Sequence, residues 1–363
     1  MRAGVLRLDG PLALTSGEEL VGVELAYETY GDLNASRDNA VLVFHAMTGN
    51  QHAAGFRDSV PGVEEHWTAD CHEGWWDGFI GSGKALDTDG LFVICVNYLG
   101  GCYGSTGPAS VNPATGRHYG KAFPRITLTD IAASHMAVID SLGIDCLHAV
   151  VGASVGGMLA LEVATRYPDR VRTVIPISTG LAVTPLQRIL NLEQAFAIES
   201  DPNFRGGDYY DGEPPDRGLA LARMIAHKTF ISLRMLSERA RGEVVGGGEE
   251  LTNYTVTSPE ESYMLHAGRK FVRRFDANSY LRILEAWQRF DLLAGSGASD
   301  LVELFERCRG QRFLTFSIDS DVSFYPEEQA EMVAVLKSAG VETVRMTVHS
   351  EKGHDSFLLE PEL

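Results

Sequence analysis

Short, almost wholly apolar segments alternate with amphipathic helical stretches along the first half of the chain, and this rhythm restricts the fold more than any other feature. Residues 21–30 (VGVELAYETY) alternate in polarity and read as a strand, while 41–44, 91–96 (LFVICV), 149–151 and 173–177 are brief apolar runs. Residues 131–142 have the pattern of an amphipathic helix closed by Gly143, and 158–167 that of a helix stopped before Pro168. Buried strands separated by helices are what a mostly parallel sheet covered on both faces requires.

From about residue 181 to 293 strand patterns vanish. Helical patterns replace them, as at 219–226 and 280–290, broken by glycine-rich and acidic stretches at 206–215 and 242–250. The earlier rhythm then returns, with strands at 312–317 and 344–348 around a helix at 326–339. The expected organisation is a discontinuous α/β core domain, residues 1–180 and 294–363, with a helical lid domain at 181–293. Such an insertion roofs the crevice at the carboxyl ends of the strands, where doubly wound sheets bind ligands.

The formal net charge of the 363 residues is −18. A chain this acidic repels nucleic acid and anionic membranes, so neither is expected as a partner. No run of about 18 apolar residues is present, so no membrane span is expected. The five cysteines (Cys71, Cys95, Cys102, Cys146 and Cys308) are odd in number and form no C-x-x-C pair. That speaks against a zinc ribbon, a thioredoxin-type site or a secreted disulfide scaffold. The N-terminal stretch lacks the apolar core of a signal peptide. A reduced, cytoplasmic protein is the expectation.

Chemistry centres on Gly152-Ala153-Ser154-Val155-Gly156. This string follows an apolar strand and opens into a helix, the setting that holds a nucleophilic serine on a sharp turn. A nucleophilic serine needs a base, and the base an orienting acid, in the chain order Ser, Asp/Glu, His. His354 and, nearer the last strand, His349 are candidate bases. Asp319 and Asp321 both follow the strand at 312–317, and spacing does not separate them. The oxyanion would need two backbone N–H donors. Val155 supplies one, and Met47, in the His45–Gly49 turn after the strand at 41–44, is the candidate for the other. His52, His66 and His72 with Cys71 and Glu73 match no standard ligand spacing and read as a solvated loop, so no metal is expected. The glycines at 100–104 lack a G-K-[ST] and do not make a nucleotide site. Trp75 and Trp76 read as core or crevice wall.

Several longer strings carry a family resemblance. They are HAMTGN at 45–50, GWWD at 74–77, GSGKA at 81–85, NYLGGCYGSTGP at 97–108, YGKAFPRIT at 119–127, GLALARM at 218–224, RFDANSY at 274–280 and GHDSFL at 353–358. In these, from about Leu20 to Leu359, the chain resembles the homoserine O-acetyltransferases of the α/β-hydrolase fold. The resemblance implies Ser154 as nucleophile, Asp321 and His354 as acid and base, and Met47 and Val155 at the oxyanion. It implies Arg223 facing the substrate carboxylate and Asp355 facing the substrate amine. It implies acetyl-CoA as co-substrate with no permanently bound cofactor, L-homoserine as acceptor, an acetyl-serine enzyme in a ping-pong scheme, a place in methionine biosynthesis, and a homodimer. Succinyl-CoA or serine on the same scaffold, or an esterase using water, are the alternatives. The chain departs from the family pattern at Val155 (commonly Met), Phe230 (commonly Tyr) and Ser323 (commonly Leu).

Overall fold

The computed structural model describes residues 1–240 and 251–362. The expected break at 242–250 therefore lies outside the described residues. Eight strands form one sheet: β1 (Arg2–Arg7), β2 (Glu24–Tyr30), β3 (Ala40–Phe44), β4 (Phe92–Val96), β5 (Leu147–Ala153), β6 (Val171–Ile177), β7 (Arg312–Ile318) and β8 (Glu342–Val348). Their spatial order is β1-β2-β4-β3-β5-β6-β7-β8. β2 runs antiparallel to both its neighbours, and from β4 to β8 every pair is parallel. This is the α/β-hydrolase arrangement. β3 and β4, at the centre, are buried at every residue, which is why their sequences carry no polar alternation. β1 has no counterpart in the sequence reading. It is an edge strand with only its alternate residues partly covered, so its hydrophobic signal is weak.

Helix α1 (Leu128–Ser141) begins three residues before the expected position, because Thr127 and Asp130 form a reciprocal capping box. Helix α2 (Val155–Arg166) likewise begins earlier, immediately after Ser154. Among the described residues, five helices occupy the stretch 181–293: α3 (Pro185–Glu199), α4 (Asp216–Phe230), α5 (Leu233–Arg239), α6 (Pro259–Val272) and α7 (Ala277–Gln288). Helix α8 (Leu301–Glu306) leads into β7, α9 (Pro326–Ser338) joins β7 to β8, and α10 (Ser356–Leu359) follows β8. No described helix is long and apolar enough to cross a membrane. All five cysteines are free thiols.

The segment expected as a solvated loop is instead partly built into the core. His52 is buried, with Nδ1 2.8 Å from Glu28 Oε2 and Nε2 3.1 Å from the His72 carbonyl. Cys71 is buried as well. Glu28, fully buried on β2, also accepts the Tyr30 hydroxyl at 2.8 Å and pairs with Arg57 at 2.5 Å. Burial would raise its pKa. The His52 hydrogen bond and charge, with the Tyr30 and Arg57 bonds, outweigh burial and hold it below its ordinary value. Tyr30 in turn accepts the amides of Ala53 and Ala54 at 2.7 and 3.1 Å, so the cluster anchors the chain downstream of the His45–Gly49 turn.

Replacing Glu28 by Ala leaves Arg57 and His52 without their buried partner. The expected loss, about 3–5 kcal/mol of unfolding free energy, is measurable by urea titration; a loss below about 1 kcal/mol contradicts the anchoring role.

Candidate active site

The turn between β5 and α2 is held in an unusual backbone state. Ser154 has φ +59° and ψ −128°, a region non-glycine residues seldom enter and that costs on the order of 1–3 kcal/mol. Its neighbours explain how the chain tolerates this. A Cβ on Gly152 would lie 2.0 Å from the Gly156 carbonyl oxygen, and one on Gly156 would lie 2.6 Å from the Phe44 oxygen. Both glycines are required by close packing of strand end, turn and helix. The Ser154 amide donates to the Ile177 carbonyl at 3.0 Å, and its carbonyl accepts the Gly157 amide at 3.0 Å. Ser154 thus sits rigidly at the mouth of α2. The Val155 N–H, in the first helical turn, has no intrahelical acceptor and points along the positive end of the helix dipole.

Two His–Asp pairs stand at the ends of β7 and β8. His349 Nδ1 lies 2.8 Å from Asp319 Oδ2, but both side chains are solvent-exposed. His354 Nδ1 lies 2.6 Å from Asp321 Oδ2, and both are buried. The other Asp321 oxygen accepts the Ser323 and Phe324 amides at 2.7 and 2.9 Å, so the carboxylate is fixed at both ends. At position 323 the contact to Asp321 is made by the backbone, which explains why a serine serves there. The His354 ring stacks on Phe324 and meets the edge of Phe357, their centroids 5.5 and 5.2 Å away. Phe357 packs with Ala153, next to Ser154, and with Ile318 at the end of β7. The Trp76 indole donates to the Phe357 carbonyl at 2.7 Å, which ties the Trp75–Trp76 stack to the same corner.

Burial pulls the His354 pKa down. The charge and hydrogen bond of Asp321, then the charges of Asp355 and Glu328, more than compensate, and the net shift is upward from 6.5. Glu328 itself is raised to about 7, chiefly by burial and also by Asp321.

The His45–Gly49 turn faces the same cleft. The His45 ring is buried and stacks on Tyr98 at 3.6 Å, and the Tyr98 hydroxyl donates to the His45 carbonyl. Burial lowers the His45 pKa to about 3, so the ring is neutral and structural. The Met47 amide donates to no acceptor among the described residues. Met47 lines a pocket with Gln187 and Asn191 of α3, Phe230 of α4, Trp287 of α7, and Ser323. The inserted helices therefore form the far wall of the cleft.

Two opposite charges complete it. Arg223 on α4 is half-buried, its guanidinium carbon 5.1 Å from the Phe230 centroid and 5.0 Å from that of Phe271. Burial lowers its pKa, and neighbouring Arg274 lowers it further, against the opposing charge of Asp355. The Asp355 amide donates to the Phe230 carbonyl at 2.8 Å. Burial raises the Asp355 carboxyl above its ordinary value, although His354, Arg223 and Arg239 act to lower it. Phe230 packs 6.2 Å from the His354 ring, so the position carries an apolar wall in place of a hydroxyl.

Contacts link Asp321, His354, Phe230, Arg223 and Asp355, while Ala153, beside Ser154, packs with Phe357 against the His354 ring and Met47 shares a pocket with Phe230 and Ser323. Arg274 and Glu328 escaped the reading of individual residues. The RFDANSY string contained Arg274, but as a motif and without a role.

A family pattern described as the alpha/beta hydrolase fold matches residues 39–361. The homoserine O-acetyltransferase of Solidesulfovibrio magneticus is 43% identical over 358 residues, spanning 98% of this chain and 87% of its own. That of Deferribacter desulfuricans is 42% identical, spanning 95% of this chain and 88% of its own. Among solved structures, the homoserine O-acetyltransferase from Bacillus anthracis superposes with a TM-score of 0.86 at 28% identity, covering 99% of this chain and 94% of its own. A solved esterase reaches the same TM-score of 0.86 at 25% identity, covering 99% of this chain and 96% of its own.

In an NMR titration His354 should titrate above 6.5 in the unaltered protein. Asp321→Asn removes the largest opposing influence and leaves burial dominant, so the midpoint should fall. An unchanged midpoint would contradict the electrostatic account.

Proposed function

Since the chain belongs to the homoserine O-acetyltransferases of the α/β-hydrolase fold, an enzyme family, we propose that it moves an acetyl group from acetyl-CoA to the side-chain hydroxyl of L-homoserine through an acetyl-Ser154 intermediate. The observation that carries this reading is the pairing of the buried Asp321–His354 couple with a cleft that also holds cationic Arg223 and the carboxyl of Asp355. Hydrolysis of a simple ester needs only the former. An acceptor carrying both an ammonium and a carboxylate needs the latter as well.

In the first half-reaction His354 takes the Ser154 hydroxyl proton as the oxygen attacks the thioester carbonyl. Nδ1 is engaged by Asp321, so Nε2 receives the proton. The tetrahedral oxyanion accepts hydrogen bonds from the Met47 and Val155 amides, each contributing about 2.7–4 kcal/mol of barrier lowering. The C–S bond breaks, and the thiolate leaves with the proton from His354. In the second half-reaction Arg223 binds the acceptor carboxylate through its planar fork, and Asp355 takes the ammonium. His354 removes the hydroxyl proton, the oxygen attacks the acetyl-Ser154 carbonyl, and the proton returns to Ser154 as it departs. The product, O-acetylhomoserine, fits a place in methionine biosynthesis.

The reading extends to assembly and location. Helix α3 turns Gln187, Asn191 and Gln194 inward and leaves Ile189, Leu192 and Phe196 at 54%, 66% and 72% exposure. An apolar stripe facing outward on a wall of the cleft supports a homodimer joined through these helices. Free, mostly buried thiols support a reducing cytoplasm. The overall fold shared with a solved esterase keeps water as the competing acceptor.

The chain incubated with acetyl-CoA alone should release thiol and gain one acetyl mass on the Ser154 peptide; homoserine should then discharge it, with parallel initial-rate lines. Ser154→Ala should lose at least about a thousandfold in kcat while staying folded. Normal product formation without the added mass would exclude the covalent route, and equal acetate release with or without homoserine would favour an esterase.

A further inference from the structure

Arg274 stands in the cleft without an assigned role. It lies just beyond α6, half-buried, with its guanidinium carbon 5.4 Å from the centroid of Phe271, the ring that Arg223 also contacts at 5.0 Å. Its Nη1 reaches the Thr48 carbonyl at 3.5 Å, one residue beyond Met47. The backbone beneath it is tightly held. The Arg274 carbonyl accepts the Tyr103 hydroxyl, its amide donates to the Phe271 carbonyl at 3.0 Å, Phe275 is buried, and Asp276 caps α7 through the Ser279 amide at 2.8 Å. The guanidinium is therefore presented on a rigid base.

Neither Arg223 nor Arg274 has a carboxylate within ion-pair distance among the described residues. Two cations sharing one aromatic ring repel each other, and Arg274 is the strongest charged influence lowering the Arg223 pKa. Like charges kept together in a partly dry cleft are costly unless an anion completes the group. Asp355 is the carboxylate acting on Arg223, and its side is the one suited to an ammonium; Asp70 acts on Arg274 but is already paired with Lys270 at 2.7 Å.

We propose that Arg274 is a second specificity-determining arginine, which grips the acceptor's α-carboxylate together with Arg223 and, by holding Thr48, sets that carboxylate at a fixed distance from the Met47 amide. This rests on the reading of the acceptor as an amino acid bearing a hydroxyl. The carboxylate offers two oxygens, enough for one guanidinium on each side. An acceptor without it leaves both cations unpaired in the closed cleft, a strong ground for rejection.

The test compares acetylation of L-homoserine with that of the amino alcohol of the same chain length that lacks the carboxylate. In the unaltered chain homoserine should be strongly preferred by kcat/KM. Arg274→Gln should reduce this preference roughly ten- to a hundredfold, mainly through a higher KM for homoserine. Arg274→Lys keeps the charge without the planar fork and should reduce it by less, and it carries the comparison if the glutamine variant folds poorly. An unchanged preference, with both acceptors slowed in proportion, would reduce Arg274 to a brace for Thr48 and overturn the proposal. Failure of the unaltered chain to acetylate homoserine at all would overturn the acceptor reading, and this proposal with it.

Discussion

The site depends on a backbone constraint before it depends on any side chain. Ser154 is held at φ +59° because β5, its turn and α2 approach so closely that only glycine fits at 152 and 156. That approach places the serine at the positive end of a helix and frees the Val155 amide. It also packs the turn against the carbonyls of Phe44 and His45, from which the Met47 segment departs. One steric arrangement thereby fixes the relative position of the serine and the Val155 and Met47 amides. The strain of about 1–3 kcal/mol is offset by the surrounding sheet, whose central strands are buried throughout.

Electrostatics then divides the cleft into regions with separate tasks. Around His354, burial and the Asp321 charge oppose each other, and the result is an imidazole with its pKa raised above the ordinary value. On the other side, Arg223 and Arg274 are cations with no carboxylate at ion-pair distance among the described residues, and Asp355 is a carboxyl destabilised by burial. Each of these groups is more favourable with a ligand present than without. A zwitterion satisfies all three at once, which a neutral ester cannot do.

The sequence made the central elements legible because their signals are local. Apolar strands, glycines flanking a serine, and a proline or glycine after a helix need no knowledge of the rest of the chain. Choosing Asp321 over Asp319 and His354 over His349 was different, since all four follow strand ends. The structure shows that they make two well-formed pairs, and only burial distinguishes them. Burial is a property of the assembled molecule, set here by Phe324 and Phe357 against the ring. The same applies to His52. Its partner Glu28 is 24 residues away on β2, so a cluster of histidines and acids read as solvated when part of it was core. The edge strand β1 failed to register for the opposite reason, having too little burial to leave a pattern.

An acyl-serine enzyme on this scaffold has two competitors for its carbonyl, water and the acceptor hydroxyl, and the architecture bears on which one wins. Orientation by fixed groups at both ends of the acceptor raises the effective molarity of its hydroxyl to about 10⁵ M or more in favourable cases, far above that of liquid water. The apolar walls contributed by Phe230, Phe324 and Phe357 leave a stray water near His354 few hydrogen-bond partners. A phenylalanine at 230 strengthens this effect by removing a hydroxyl that could hold such a water. In the proposed scheme transfer and hydrolysis share one chemical engine, and the balance between them lies in the residues assigned to the acceptor rather than in the proposed serine, histidine and aspartate.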